Sequence, residues 1–548
     1  MEVVVTTPCG AVRGSWIESA GRGEADQSNC VGGAGGAGGA GGAGGAGGVC
    51  GASSPGGNAY VNAYVNAGAY IFHGIPYAIT ERFEMPVQVR SWSEVAKYGS
   101  VALDSNGILD ATGTLDANFG ELDCWQYSSF YDESKDANSF YYKEFRSERQ
   151  FKYAESPMML NIVCPASAVK AAGQKHEISG SQAKKQEISG LQNDVQSDVQ
   201  PNLQVQSCPV IVFFHGGGHE TGTVGELPYG TCTEYAKRGA IFVSVGYRLN
   251  VFSLFRGRNY GLHDQIAAIH WVRDNIAAFG GNADQIILMG QSAGAMSITS
   301  LCMSQRLKGL VTGAVLMSGG GCIPKLAGPK PASKTDIFWD GVRSKAGVAT
   351  DAELKTVPAE VLWRAWHDQS QEGTNFHLRQ PAIDGDIVPD YPQAILKRGD
   401  DLDIPLIFGV TAQDFLPVIM YEMALSWGKR NARQNRAPVY GYMVRRTPPG
   451  NCYKAFHGID LWYMFGNLDK SWRPFGKEDY ELSAHMIDYV VAFARTGNPN
   501  AKGLLPWPAL SRTQHRFMCF DAGPLSLLTP HQCRKLVWHT ALKDKGPL

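Results

Sequence analysis

Gln285-Ile286-Ile287-Leu288-Met289-Gly290-Gln291-Ser292-Ala293-Gly294 reads, within ten residues, as a strand, a sharp turn and the start of a helix. Residues 285–289 form a short apolar run of strand length that passes straight into Gly290, and the Gly-free apolar run 296–303 beyond the turn reads as a helix. Glycines at 290 and 294 let a strand enter a helix without a Cβ clash and leave the Ser292 hydroxyl above the sheet edge, at a helix N-terminus. A serine hydroxyl is a poor nucleophile at neutral pH. To act as one it must be exposed, touched by a base, and set beside donors for a developing oxyanion. G-x-S-x-G alone also occurs as an ordinary Gly-Ser turn; the strand before it and the helix after it favour a nucleophile at Ser292.

The same grammar extends upstream. Residues 209–214 read as a buried strand, 234–238 as a helix, 240–247 as the next strand, and 261–279 as a helix with apolar spacing through Ile266, Ile269, Val272 and Ile276. Short β-rich runs alternating with helices predict the α/β class, with a central, mostly parallel twisted sheet flanked by helices. Directly after Phe214 stands His215-Gly216-Gly217-Gly218. Consecutive glycines allow backbone N–H groups to converge on one point, so Gly217 and Gly218, with the N–H of Ala293, are candidate oxyanion donors. A plain flexible loop is the bland alternative, but the two motifs stand in the expected order, one strand-helix unit apart.

The 548 residues read as one unit, 1–548, with a sizeable core, since 44% are hydrophobic and only 18% charged. Fifty basic residues against 51 acidic ones give a net charge of -1, which supplies no patch for nucleic acid. No apolar run reaches membrane-spanning length. Residues 3–14 predict an N-terminal antiparallel hairpin at the sheet edge. Two biased stretches read as flexible insertions: a Gly-Gly-Ala repeat at about 32–48, followed by an Asn-Ala-Tyr-Val repeat at 58–66, and a Gln/Ser/Lys-rich stretch at about 168–206. Twelve cysteines without C-x-x-C pairs, and no basic-then-apolar leader, give reduced thiols and a cytoplasmic setting as the expectation, although an even count also suits disulfides.

Five stretches together resemble the type-B carboxylesterase and cholinesterase family, which includes bacterial para-nitrobenzyl esterases. They are Phe72-His73-Gly74-Ile75-Pro76-Tyr77-Ala78, Tyr247-Arg248-Leu249-Asn250-Val251-Phe252, Asn259-Tyr260-Gly261-Leu262-His263-Asp264-Gln265, residues 271–294, and Thr496-Gly497-Asn498-Pro499-Asn500 with Trp507-Pro508. They span nearly the whole chain. The resemblance implies the α/β-hydrolase fold, an acyl-enzyme mechanism, small to medium carboxylic esters as substrates, and no metal or organic cofactor. It also implies a base late in the chain, where Phe456-His457-Gly458-Ile459-Asp460 fits and makes His457 the candidate. The acid is implied after a buried strand; in residues 405–415 that position is Asp414, ahead of its rival Asp384, which the resemblance makes a structural turn. The order Ser, Asp, His suits this fold.

His215 and His219 flank the glycine loop and are candidates for lining the pocket, while His485 lies in an amphipathic stretch and reads as structural. Four departures from the family pattern stand out. Gln291 replaces a common Glu beside the nucleophile, Ser253 replaces a glycine, Phe415 replaces the glycine after the acid, and residues 155–161 lack the cysteine of secreted members. Gln291, His219 and Phe415 are therefore expected to shape the substrate pocket. Two other readings share the scaffold: a binding protein that has lost catalysis, disfavoured because each role keeps a candidate, and a lipase or amidase, for which the aromatic-rich residues 124–151 would supply a pocket wall.

Overall fold

The computed structural model describes residues 2–17, 68–98, 115–116, 122–124, 140–145, 152–169, 207–320, 328–372, 381–450 and 453–543. The Gly-Gly-Ala and Asn-Ala-Tyr-Val repeats, and all but the first two residues of the 168–206 insertion, lie outside them. The long strands in chain order are β1 (Glu2–Thr7), β2 (Gly10–Ile17), β3 (Ala69–Pro76), β4 (Met159–Pro165), β5 (Cys208–Phe214), β6 (Ile241–Val245), β7 (Gly281–Gln291), β8 (Gly313–Met317), β9 (Leu406–Thr411), β10 (Val439–Val444), β11 (Phe517–Phe520) and β12 (Ser526–Leu528). With the short strand Leu115–Asp116 paired to β2, they form a 13-stranded sheet in the order β1-β2-β3-β4-β6-β5-β7-β8-β9-β10-β11-β12. From β6 to β11 every neighbouring pair is parallel; β1 to β4 and β12 add antiparallel edges.

All seven residues of β5 are buried, as a strand covered on both faces requires. Alternate side chains feed two cores: Val210, Val212 and Phe214 on one face, Ile211 and Phe213 on the other. The first face receives α3 (Ala293–Cys302) through Ala295, Ile298 and Leu301, and the second receives α6 (Lys477–Thr496) through Met486, Val490 and Phe493. Between them in sequence lie α4 (Pro417–Arg433) and α5 (Ile459–Phe465); before them lie α1 (Phe140–Phe145) and α2 (Tyr260–Asn275).

Several element boundaries differ from the sequence expectation, among them the strand read at 285–289, which runs over Gly281–Gln291; three others show their cause. The hairpin's second strand runs on to Ile17 because it pairs with β3, Ser15 opposite Ile71. The helix expected over 261–279 is α2 followed by a 3₁₀ turn, Ile276–Phe279, stopped at Gly280 with φ 84°. The helix after the nucleophile starts three residues early, at Ala293, because Met296 N–H already donates to Ser292 O at 3.0 Å. Cys9, Cys164, Cys208, Cys232, Cys302, Cys519 and Cys533 are buried thiols that form no disulfide. Among the described residues no helix is long and apolar enough to cross a membrane.

An ion pair pins the start of α2 to the end of β6. Arg248 donates from Nε and Nη2 to the two Asp264 oxygens at 2.8 and 2.6 Å, with side chains 1% and 0% exposed. Arg248→Met leaves that carboxylate uncompensated in the core, so it is expected to cost about 3–5 kcal/mol, read as a lower midpoint in urea unfolding.

Candidate active site

Strand β7 ends at Gln291 and α3 begins at Ala293, which leaves Ser292 alone on the turn with φ 54° and ψ -119°. A non-glycine residue held there is strained, and the surroundings hold it: Ser292 N–H donates to Met317 O at 2.9 Å. The glycines are needed for close approach. A methyl group on Gly294 would stand 2.0 Å from Phe214 O, and one on Gly290 2.7 Å from the Gly294 carbonyl carbon. The turn thus brings the N-terminus of α3 against the end of β5.

The glycine loop lies beside this turn; a methyl group on Gly216 would come within 3.1 Å of Ser292 Cβ. Gly217 and Gly218 have φ 100° and 68°, conformations that side chains rarely adopt. Residues after β6 hold the loop from behind. Tyr247 Oη donates to His215 O at 2.7 Å, Asn250 N–H to His219 O at 2.6 Å, and Asn250 Nδ2 to Glu220 O at 3.1 Å. His215 stacks on Tyr247, ring centroids 4.6 Å apart, with Nδ1 2.9 Å from Gly216 O. Burial pushes its pKa down to about 4, so it is neutral at pH 7 and donates that bond.

Asp414 stands just past β9, and His457 just before α5. Two bonds tie their loops: Gln413 N–H donates to Ala455 O and Ala455 N–H to Gln413 Oε1, both at 2.9 Å. His457 Nδ1 is 2.6 Å from Asp414 Oδ1, with the carboxylate side chain fully buried. Phe415 N–H donates to Oδ1 at 2.9 Å, and Thr411 N–H and Oγ1 donate to Oδ2 at 3.2 and 3.1 Å. Burial pulls the Asp414 pKa up, but His457's charge and hydrogen bond, with Ser318 and Thr411, outweigh it and hold the carboxyl below its ordinary value.

His457 forms no hydrogen bond to Ser292 among the described residues; its Nε2 faces Gln291 Nε2 at 3.2 Å. Gln291 is 5% exposed and its amide touches the imidazole. Phe415 is 42% exposed and its ring lies over His457, centroids 4.3 Å apart. His219, at φ 62°, has its Nε2 3.0 Å from Ser297 Oγ in a cavity shared with Arg248, Asn259 and Gln265, which none of Ser292, Asp414 and His457 lines. Asp384 lies in a turn of its own, accepting from Asp386 N–H and Val388 N–H at 3.0 and 2.9 Å and from Asn259 Nδ2 at 2.7 Å. His485 is a half-buried residue of α6.

Two neighbours remain, one expected from the sequence and one not. Of the aromatic stretch expected as a wall, the described part is α1. Phe140 packs on Phe456 and Tyr453, ring centroids 4.8 and 4.4 Å away, and a fully buried Glu144–Arg473 pair anchors it, Arg473 Nε to Glu144 Oε1 2.9 Å. The other is Asp460, fully buried, with one oxygen accepting from Tyr442 Oη at 2.9 Å. Burial, and then the Asp414 charge, push its pKa up to about 7. Its unfolded counterpart ionises near 4, so the unfolded chain sheds this proton first and stability falls as pH rises from about 4 to 7. Asp460→Asn is expected to remove roughly 2–3 kcal/mol of the stability lost between pH 5 and pH 8, measured by guanidinium unfolding at each pH.

A family model described as the carboxylesterase family matches residues 109–430 and 419–535. The para-nitrobenzyl esterase of Bacillus subtilis (strain 168) is 29% identical over 386 residues, 59% of this chain and 77% of that protein. The cocaine esterase of Homo sapiens is 26% identical over 427 residues, 62% of this chain and 73% of that protein. Among solved structures, a thermophilic para-nitrobenzyl (PNB) esterase matches with a TM-score of 0.65 at 22% identity, covering 97% of this chain and 99% of that one. The juvenile hormone esterase of Manduca sexta matches with a TM-score of 0.67 at 20% identity and 99% coverage of both chains. Matched over most of its length, the chain belongs to the carboxylesterase family, has the α/β-hydrolase fold, and is a carboxylic ester hydrolase.

Proposed function

We propose that the chain hydrolyses small to medium carboxylic esters through an acyl-enzyme on Ser292, with His457 as general base and Asp414 as the acid that orients it. The observation that carries the reading is the 2.6 Å contact between His457 Nδ1 and a buried carboxylate held below its ordinary pKa. An ionised Asp414 accepts from Nδ1–H, so the neutral imidazole keeps Nε2 as a lone pair able to take the Ser292 proton. His457 takes the Ser292 proton as Oγ attacks the ester carbonyl. The N–H groups of Gly217, Gly218 and Ala293 receive the oxyanion, and the alcohol leaves with the proton from His457. Water, activated by the same base, then attacks the acyl carbon and releases the acid.

Phe415 over the imidazole and the exposed Leu416 beside it give the mouth of this site an apolar side. That favours esters with an apolar acyl or alcohol group. With para-nitrophenyl acetate, a rapid release of one equivalent of para-nitrophenolate per enzyme, followed by slower turnover, is expected in stopped flow. An activity independent of Ser292, or one abolished by chelators and restored by metal, would refute the mechanism.

A further inference from the structure

We infer that Gln291 is a positioning residue that holds His457 as a neutral base until substrate arrives, competing with Ser292 for the Nε2 lone pair. The inference rests on the Ser292–His457–Asp414 reading above. An amide nitrogen only donates, and with Nδ1–H committed to Asp414 the facing Nε2 only accepts, so the 3.2 Å contact is an N–H from Gln291 to the atom that must take the serine proton.

The side chain is placed for this by both loops of the site. A methyl group on Gly216 would stand 2.5 Å from Gln291 Oε1, and one on Gly458 3.5 Å from its Nε2. The absence of a side chain at Gly216 leaves the slot, and from it the amide reaches ordinary contact distance of the histidine loop. At 5% exposure it has little water to exchange partners with.

Two consequences follow from donor and acceptor counting. While the imidazole is neutral, the Gln291 N–H satisfies Nε2 and disfavours its protonation, because a hydrogen bond to one protonation state stabilises that state. Once Nε2 carries the serine proton, two donors face each other across the same gap, and the contact turns repulsive. The proton is thereby turned away from Gln291 and toward Ser292 Oγ or the leaving oxygen. A glutamate at this position would do the opposite: it would accept from the protonated imidazole and retain the proton.

The titratable and charged groups around the imidazole are Asp414 on Nδ1, Asp460 and Tyr141, whose carboxyl or hydroxyl groups interact with the same Asp414–His457 pair. All three are unchanged by substitution at 291. The test compares kcat/KM against pH for wild type, Gln291→Met and Gln291→Glu on a para-nitrophenyl ester. Far-ultraviolet circular dichroism and active-site titration with a fluorophosphonate count the folded, serine-competent fraction of each. The acid limb is expected to move to higher pH by about half to one unit in Gln291→Met, the size of one net hydrogen bond, and further in Gln291→Glu, with KM changing less than kcat. Acid limbs that coincide in all three titrated enzymes would overturn the role of Gln291 while leaving the triad standing. Failure of the fluorophosphonate to label Ser292 in wild type would overturn the triad reading and this inference with it. If Gln291→Met does not fold, Gln291→Glu, which keeps the side-chain length and one oxygen, carries the same comparison.

Discussion

Ser292→Ala is expected to lower kcat for a short-chain para-nitrophenyl ester by about a million-fold, to near the rate set by oxyanion and binding contacts alone. The change removes one oxygen atom from a residue whose backbone is held by Met317 O and by the close packing of Gly290 and Gly294, so the fold and the glycine loop stay in place. Circular dichroism and the melting temperature should match wild type. Full retention of activity in a folded Ser292→Ala protein would remove the nucleophile from the account.

The second large effect is expected at Asp414. Asparagine preserves the shape but carries one acceptor oxygen where Asp414 has two, and those two serve His457 Nδ1, Phe415 N–H, Thr411 N–H and the Thr411 hydroxyl. Its amide can also donate to Nδ1, which stabilises the wrong imidazole tautomer. A loss of about ten-thousand-fold in kcat follows from the tautomer alone. Asp384→Asn is the matched comparison: Asp384 serves its own turn and Asn259, away from His457, so its loss should lower the unfolding midpoint and leave kcat within a few-fold of wild type. The reverse pattern, with Asp384→Asn inactive and Asp414→Asn active, would assign the acid to the other loop.

Legibility in the sequence follows how local each determinant is. The strand-turn-helix around Ser292 was readable because apolar runs and two glycines within ten residues dictate it, and the glycine loop after β5 was readable for the same reason. The helix start was misplaced by three residues because the elbow consumes a single residue, a geometry that apolar spacing does not encode. Asp414 and His457 could be ranked only through family resemblance, since no periodicity connects residues 43 apart that meet through a single hydrogen bond. The change of charge at Gln291 is visible in the sequence, but its contact with a histidine 166 residues away depends on how β7 and the loop before α5 converge. Asp460 is not legible as a site residue in the sequence, because its raised pKa comes from burial and from Asp414, neither of which a one-dimensional pattern displays. His219 flanks the glycine loop in sequence, yet its ring meets Ser297 of α3, a contact that no sequence spacing displays.

The most direct test of the central claim is peptide mapping by mass spectrometry after brief reaction with para-nitrophenyl acetate at low pH, where deacylation is slow, or with a fluorophosphonate. The account predicts one equivalent of label per chain, on the peptide containing Gly290-Gln291-Ser292-Ala293-Gly294 and fragmenting to Ser292, with no label in Ser292→Ala. Label on another residue, or full turnover with no covalent intermediate under either reagent, would contradict it.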